Sequence, residues 1–256
     1  MNLAGVFEDR ESAGQALANA LKRFAAKTRG AQGHFEGRTT QSSALQPNAI
    51  AGRGVSRGSL EERPVVLAIP RGGIPVAIPV AKALKAEFGV VVSRKLPVPW
   101  SPEVGFGAIA PDGSVEYNPE VLSMMSLPKA EIAKIERDVL AEIRRRIEKY
   151  LGKRKLPSLR GRTVVIVDDG LATGYTMVAA AKFAKNSGAK KIVVAVPTSS
   201  RSAFETVRGK APVDEVVSLV VSDEYSYAVA MSYRDFHDMK DEEVLEWMEK
   251  AYSVSS

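Results

Sequence analysis

Residues 164–176 read VVIVDDGLATGYT, and the fold of the chain follows from them. Val164, Val165, Ile166 and Val167 are consecutive apolar residues, the pattern of a strand buried on both faces of a parallel sheet. Two carboxylates, Asp168 and Asp169, stand where that strand must end. A short loop of small and hydroxyl residues follows, and helical spacing begins near Gly174. In open parallel sheets ligands bind outside the carboxyl ends of the strands. The loop has the chemistry of an anion cradle. Gly170 and Gly174 let the backbone bend and approach a ligand closely. The backbone N–H groups of Leu171, Ala172, Thr173, Gly174, Tyr175 and Thr176 can converge on one anion, with hydroxyls from Thr173 and Thr176 and the positive end of the next helix. No lysine sits in the loop and GxxxxGK[ST] occurs nowhere, which argues against a nucleoside-triphosphate loop of that type.

Two adjacent acids repel a phosphate that faces them, so they make sense beside a neutral polyol. Asp168 and Asp169 can accept hydrogen bonds from two vicinal hydroxyls while the loop beyond holds a phosphate. A ribose 5-phosphate fits that spacing. The competing explanation, a strand followed by a pair of capping aspartates, leaves the Thr-Gly-x-Thr loop without a purpose.

Working outward, the pattern is an alternating one. Residues 65–69 form a short apolar run ended by Pro70, residues 73–87 have helical spacing, and residues 90–92 form a second strand leading into Arg94 and Lys95. A strand, a helix and a strand make a parallel crossover unit. On the other side, residues 163–167 (strand), 174–187 (helix), 191–196 (strand), 200–208 (helix) and 213–221 (strand) repeat that rhythm. The predicted fold is α/β, an open, mostly parallel sheet flanked by helices. A small hairpin or hood is expected within 96–122, where Asp112-Gly113 signals a turn between two extended runs. Gly105–Ala110 matches GxGxxA, but Pro111 follows at once and no helix opens there, so it is not a dinucleotide fingerprint.

Three further segments complete the chain. Residues 8–27 carry Ala13, Leu17, Leu21 and Phe24 at helical spacing and predict an N-terminal helix (1–27) packing on the core. Residues 28–62 hold six glycines and show neither period, so they are expected to be a flexible insertion. Residues 63–256 make the core domain. Within it, 128–151 is a long amphipathic helix with Ile132, Ile135, Val139, Ile143 and Ile147 on one face. Residues 238–252 form a second, with Asp238 as its expected cap.

Composition narrows the chemistry. The 256 residues contain no cysteine and two histidines, His34 and His237, which excludes thiolate chemistry and a multi-histidine zinc centre. The net charge of +6 permits anionic ligands without demanding nucleic acid. Six basic residues between Lys149 and Arg162, with no acid and one aromatic, read as a solvated helix end and loop rather than a nucleic-acid patch. The N-terminus lacks the basic and apolar pattern of a signal peptide, and the longest apolar runs fall well short of a membrane span, so a cytoplasmic protein is expected.

At this point the residues carry a resemblance. Residues 164–176 resemble the phosphoribosyl-pyrophosphate (PRPP) signature of the type I phosphoribosyltransferases: hydrophobic residues, two acids and a Thr/Gly-rich loop. AIPRGGI at 68–74 is similar to the pyrophosphate loop of the same family, which often carries a strained peptide bond; Gly72 after Arg71 would suit one. The order IPRGG, SRK, PEVGFGAI, VDDGLATG, VAVP and a late YRDF is similar to a group of family members with unassigned acceptors and covers 64–250. The resemblance implies PRPP as donor, Mg²⁺ bound through the donor, and transfer of ribose 5-phosphate to a base or amine with release of pyrophosphate. Asp168 and Asp169 would hold the ribose hydroxyls and reach the metal directly or through water. Gly170, Leu171, Ala172, Thr173, Gly174, Tyr175 and Thr176 would hold the 5-phosphate. Arg71, Gly72, Gly73 and Lys95 would meet the pyrophosphate, and the catalytic set would be Asp168, Asp169, Arg71 and Lys95. Members acting on 6-oxopurines carry a third acid where this chain has Ala172, which argues against that acceptor class. Tyr225, Tyr227, Tyr233, Phe236 and Trp100 are candidates for a flat acceptor wall. A non-catalytic PRPP or nucleotide sensor is the alternative. The sequence leaves self-association open.

Overall fold

The computed structural model describes residues 5–30 and 63–253. Its main sheet has five parallel strands, β1 (Val65–Ala68), β2 (Glu87–Val90), β6 (Thr163–Val167), β7 (Lys191–Ser200) and β8 (Glu215–Ser222), in the order β2-β1-β6-β7-β8. A separate antiparallel sheet contains β3 (Arg94–Val98), β4 (Ser101–Ile109) and β5 (Val115–Tyr117). The expected parallel sheet with a small hairpin region is therefore what the chain forms. The helices are α1 (Arg10–Gly30), α2 (Gly73–Leu84), α3 (Pro119–Met124), α4 (Lys129–Leu151), α5 (Tyr175–Asn186), α6 (Arg201–Lys210) and α7 (Asp241–Ser253). Most of the predicted flexible stretch 28–62 lies outside the described residues; its first three residues belong to α1.

Period-two alternation divides the sheet between two cores. Val66, Ala68, Val165 and Val167 face α1, α2, α4 and α7. Val65, Leu67, Val164 and Ile166 face α5 and α6. All eight are buried, as strands covered on both faces must be. Ile132, Ile135, Val139, Ile143 and Ile147 of α4 pack on the first core as their spacing predicts, and Ala13, Leu17 and Leu21 of α1 are buried.

Several boundaries differ from the sequence reading. The second strand is Glu87–Val90, earlier than 90–92, because Val65 pairs with Glu87 and Ala68 with Val90. Arg94 and Lys95 thus do not end a strand of the main sheet; they open the antiparallel one. α2 stops at Leu84, where Lys85 turns to φ 51° and the Ala86 N–H bonds Ala81 O. β7 runs on to Ser200 because Thr198, Ser199 and Ser200 stay paired with β8 despite their hydroxyls. Asp238 caps nothing: α7 begins at Asp241, and Glu243 Oε2 accepts from the Lys240 N–H at 2.8 Å. The short α3 was not foreseen, although Asn118 caps it through Glu120 N and Val121 N, and Pro119 starts it.

The topology fixes where a ligand can sit. From β1 the chain crosses through α2 to β2; from β6 it crosses through α5 and α6 to β7 and β8 on the other side. The adjacent strands β1 and β6 therefore send their connections in opposite directions, and their carboxyl ends bound the crevice of a topological switch point.

Candidate functional site

Both motifs found in the sequence leave the sheet at that crevice. After β1 the chain passes through Ile69, whose N–H bonds Val167 O at 2.9 Å, then Pro70 and Arg71, and enters α2 at Gly73. The peptide bond between Pro70 and Arg71 is cis, one bond earlier than the Arg71–Gly72 position suggested above. Gly72 and Gly73 lie directly against the acid pair. A β-carbon on Gly72 would fall 1.8 Å from Asp169 Oδ2, and one on Gly73 would fall 2.8 Å from Val167 O and 3.2 Å from Asp168 Oδ1. Only glycine permits this approach of the two loops.

The acids differ in their partners. Asp168 Oδ1 accepts from the Asp169 N–H at 2.8 Å, and the Asp168 and Asp169 carboxyl groups are in side-chain hydrogen-bond contact with each other. Asp169 Oδ2 accepts from Arg10 Nε at 2.9 Å, and the Asp169 carbonyl accepts from the Tyr233 hydroxyl at 2.6 Å. Burial pushes the Asp168 carboxyl well above the usual carboxylate range, and the neighbouring Asp169 charge adds to it. Burial also raises Asp169, against the opposing pull of Arg10. Burial likewise raises the Tyr233 hydroxyl, with Asp169 contributing, so it remains a donor.

The loop beyond the acids is stitched to the end of β7. The Leu171 N–H bonds Thr198 O at 3.0 Å, Ser200 N bonds Leu171 O at 3.0 Å, and Ser200 Oγ donates to Ala172 O at 2.9 Å. Leu171 is consequently buried and its amide is used inside the fold. Gly174, at φ 85°, then turns the chain into α5 so close to α6 that a β-carbon there would lie 2.9 Å from Ala203 O. No described residue accepts from the amides of Ala172, Thr173, Gly174, Tyr175 or Thr176. Five successive amides at the start of α5 are thus without an acceptor among the described residues, whereas that of Leu171 is used within the fold.

The other predicted residues are distributed unevenly. Arg71 is half-buried, makes no ion pair with a described residue, and lies within electrostatic reach of Arg94 and Tyr150. Lys95 is on the exposed face of β3, with Nζ donating to Glu103 O at 2.5 Å. Strand alternation places Arg94 on the side of buried Leu96 and Val98, where its charge is felt by Arg71 and Glu142 holds it at 3.0 Å. The alternation of polar and apolar residues in RKLPV is the sequence signal for that face. Among the aromatic candidates, Tyr225 is wholly exposed and Trp100 largely so, Tyr227 bonds Thr198 Oγ1, and Phe236 lies under the Arg10 guanidinium at 3.9 Å.

Arg10 had no signal in the sequence. It reaches the acids because residues 5–8 pair with the C-terminal segment: Phe7 N bonds Ser232 O at 2.9 Å and Arg234 N bonds Phe7 O at 2.9 Å. Three of the six basic residues of the run 149–162 form ion pairs within the fold. Lys149 pairs with Asp241, Arg154 with Glu249 and Arg162 with Glu87. Among the described residues there is no cluster of three or more metal-ligating side chains, and no helix is long and apolar enough to cross a membrane.

Comparison with known proteins agrees with this arrangement. A family profile described as a phosphoribosyl transferase domain matches residues 47–228. Over 188 residues the chain is 43% identical to two proteins of Mycobacterium tuberculosis, from strains CDC 1551 and H37Rv, each provisionally named a phosphoribosyl transferase. The match covers 73% of this chain and 42% of those proteins, so the chain spans less than half their length. The crystal structure of TT1426 from Thermus thermophilus is 32% identical, superposes with a TM-score of 0.66, and the alignment covers 95% of this chain and 98% of that one. With its two glycine loops meeting beside an acid pair at the switch point, the chain belongs to the phosphoribosyl transferase family.

Proposed function

We propose that the protein transfers ribose 5-phosphate from PRPP to a nitrogenous acceptor and releases pyrophosphate. One observation carries the reading: five open amides and an aspartate pair lie on the same β6–α5 connection, across the crevice from Arg71. The amides of 172–176 suit the 5-phosphate. Asp168, which makes no ion pair with a described residue, suits the ribose hydroxyls, and Asp169 shares that duty through the oxygen that Arg10 does not hold. Arg71, within electrostatic reach of Arg94, suits the departing pyrophosphate; Lys95 would have to leave Glu103 to join them.

In this reading the acceptor nitrogen donates its lone pair to the anomeric carbon as the bond from that carbon to pyrophosphate breaks, and the bonding pair leaves with pyrophosphate. Positive charge grows on the sugar. The protein's part is to fix the ribose by its hydroxyls and its phosphate and to place cations where negative charge departs. Magnesium would supply further neutralisation of the pyrophosphate. The residues present fit a metal that arrives on the donor: the Asp168 carboxyl makes no ion pair with a described residue, and the described residues offer no all-protein cage. Ala172 is exposed and carries no acid, which favours acceptors other than 6-oxopurines.

The test is calorimetric titration with PRPP, with and without Mg²⁺, against wild type and the Asp168→Asn/Asp169→Asn double variant, followed by a pyrophosphate-release assay over a panel of bases and amines. Tight binding by wild type and its loss in the double variant are expected. Equal affinity in both sinks the site assignment, and binding without release on any acceptor turns the reading to a donor-sensing protein.

A further inference from the structure

We propose that Arg10 is a positioning residue of the donor site: it clamps one oxygen of Asp169, so that Asp168 and the remaining oxygen of Asp169 present one fixed edge to the ribose hydroxyls. The inference rests on the reading of the crevice as a PRPP site and goes on to assign a residue outside both motifs.

The geometry is specific. Arg10 Nε lies 2.9 Å from Asp169 Oδ2, with the two side chains 9% and 16% exposed. The same oxygen is backed by Gly72, where even a β-carbon would intrude to 1.8 Å. Oδ2 is thus enclosed between a guanidinium and a backbone and is not open to a ligand. The guanidinium in turn has two further anchors: Nη1 donates to His237 O at 3.0 Å, and the plane sits 3.9 Å over the Phe236 ring. Its helix is also fixed, since Gly14 meets the backbone of Val76 in α2. A side chain held at three points from a docked helix orients its partner rather than swinging away as a gate. The other polar groups around Asp169 are Asp168 on its own loop and the hydroxyls of Tyr227 and Tyr233 from the C-terminal segment. Arg10 is the cation among them, and it offsets carboxylate charge at the acid pair when a polyanionic donor approaches. A buried ion pair is by itself a weak source of stability, so its placement on the acid pair points to the ligand.

The experiment is PRPP titration by calorimetry, with thermal melting of the same samples, for wild type, Arg10→Gln, Arg10→Lys, Asp169→Asn and the Arg10→Gln/Asp169→Asn double variant. Arg10→Gln is expected to weaken PRPP about tenfold or more, the scale on which orienting partners act. Arg10→Lys should recover part of that loss through its charge, though not the fork geometry. The double variant should bind no more weakly than Asp169→Asn alone, because Arg10 acts through Asp169. A folded Arg10→Gln with wild-type affinity, or losses that simply add in the double variant, overturns the proposal. If Arg10→Gln does not fold, Phe236→Leu and Arg10→Lys decide: weakened binding in both supports the positioning role, and wild-type affinity in either overturns it. Absence of PRPP binding by wild type would bring down the functional reading and this inference together, whereas equal binding by wild type and Arg10→Gln removes only the inference.

Discussion

Gly14 of α1 and Val76 of α2 meet backbone to backbone: a β-carbon on Gly14 would lie 2.5 Å from the Val76 carbonyl oxygen and 2.9 Å from its α-carbon. Neither atom is the movable end of a side chain, so the helices must part if Gly14 gains bulk. The first prediction follows. Gly14→Leu should lower unfolding stability in urea by about 1–3 kcal/mol, the usual cost of overpacking, and should also weaken PRPP binding, because Arg10 leaves with α1. Unchanged affinity in a folded Gly14→Leu protein would separate α1 docking from the site.

Gly72 gives a prediction about the crevice itself. Its β-carbon position is occupied by Asp169 Oδ2 at 1.8 Å and Arg10 Nε at 2.9 Å. Gly72→Ala should therefore displace the Asp169 carboxylate and reduce PRPP affinity by about tenfold or more on calorimetry, the penalty for disturbing an oriented ligand group. Gly209→Ala, in α6 with open space around it, is the matched control. It should leave affinity unchanged and raise stability by about 0.5–1 kcal/mol, since alanine loses less freedom in a helix.

Glu215 gives a pH dependence. It is 3% exposed at the start of β8, and neither carboxylate oxygen has a hydrogen-bond partner among the described residues. Burial raises its carboxyl from 4.5 to about 7, against the attraction of Lys191 and with a small further push from Asp214. The folded state therefore holds this proton to higher pH than the unfolded chain does. Its contribution to stability is complete below about pH 4.5 and is lost as pH rises through about 7. Urea midpoints measured from pH 4.5 to 8 should fall across that window in wild type, and Glu215→Gln should flatten this component. An identical slope in both proteins would refute the assignment.

Arg162 tests the role of the basic run. Its guanidinium bonds Arg63 O, Ser158 O and Glu87 Oε1, joining the start of β1, the approach to β6 and β2. Arg162→Ala should cost about 1.5–3 kcal/mol in chemical denaturation, the range for hydrogen bonds to a charged group. Lys155→Ala, exposed and without an ion pair among the described residues, should stay within about 0.5 kcal/mol of wild type.

The sequence by itself determined the sheet and the edge at which its two glycine loops leave it. VVIV at 164–167 and the apolar run after Pro64 are too continuously hydrophobic to be anything but strands covered on both sides, and the two glycine loops that follow them are local patterns with local consequences. Element ends were harder, because Glu87 and Gly89 hide the start of β2, and Thr198, Ser199 and Ser200 carry β7 past its apolar stretch. What only the tertiary structure decided is which residues from distant parts of the chain reach the acid pair. Arg10 lies 159 residues before Asp169, and Tyr233 lies 64 after it. No spacing rule connects them; they meet because residues 5–8 pair with 231–235 and because Gly14 seats α1 on α2. The different faces taken by Arg94 and Lys95 have the same origin: a residue type can be read along the chain, but the face it takes depends on which sheet its strand joins.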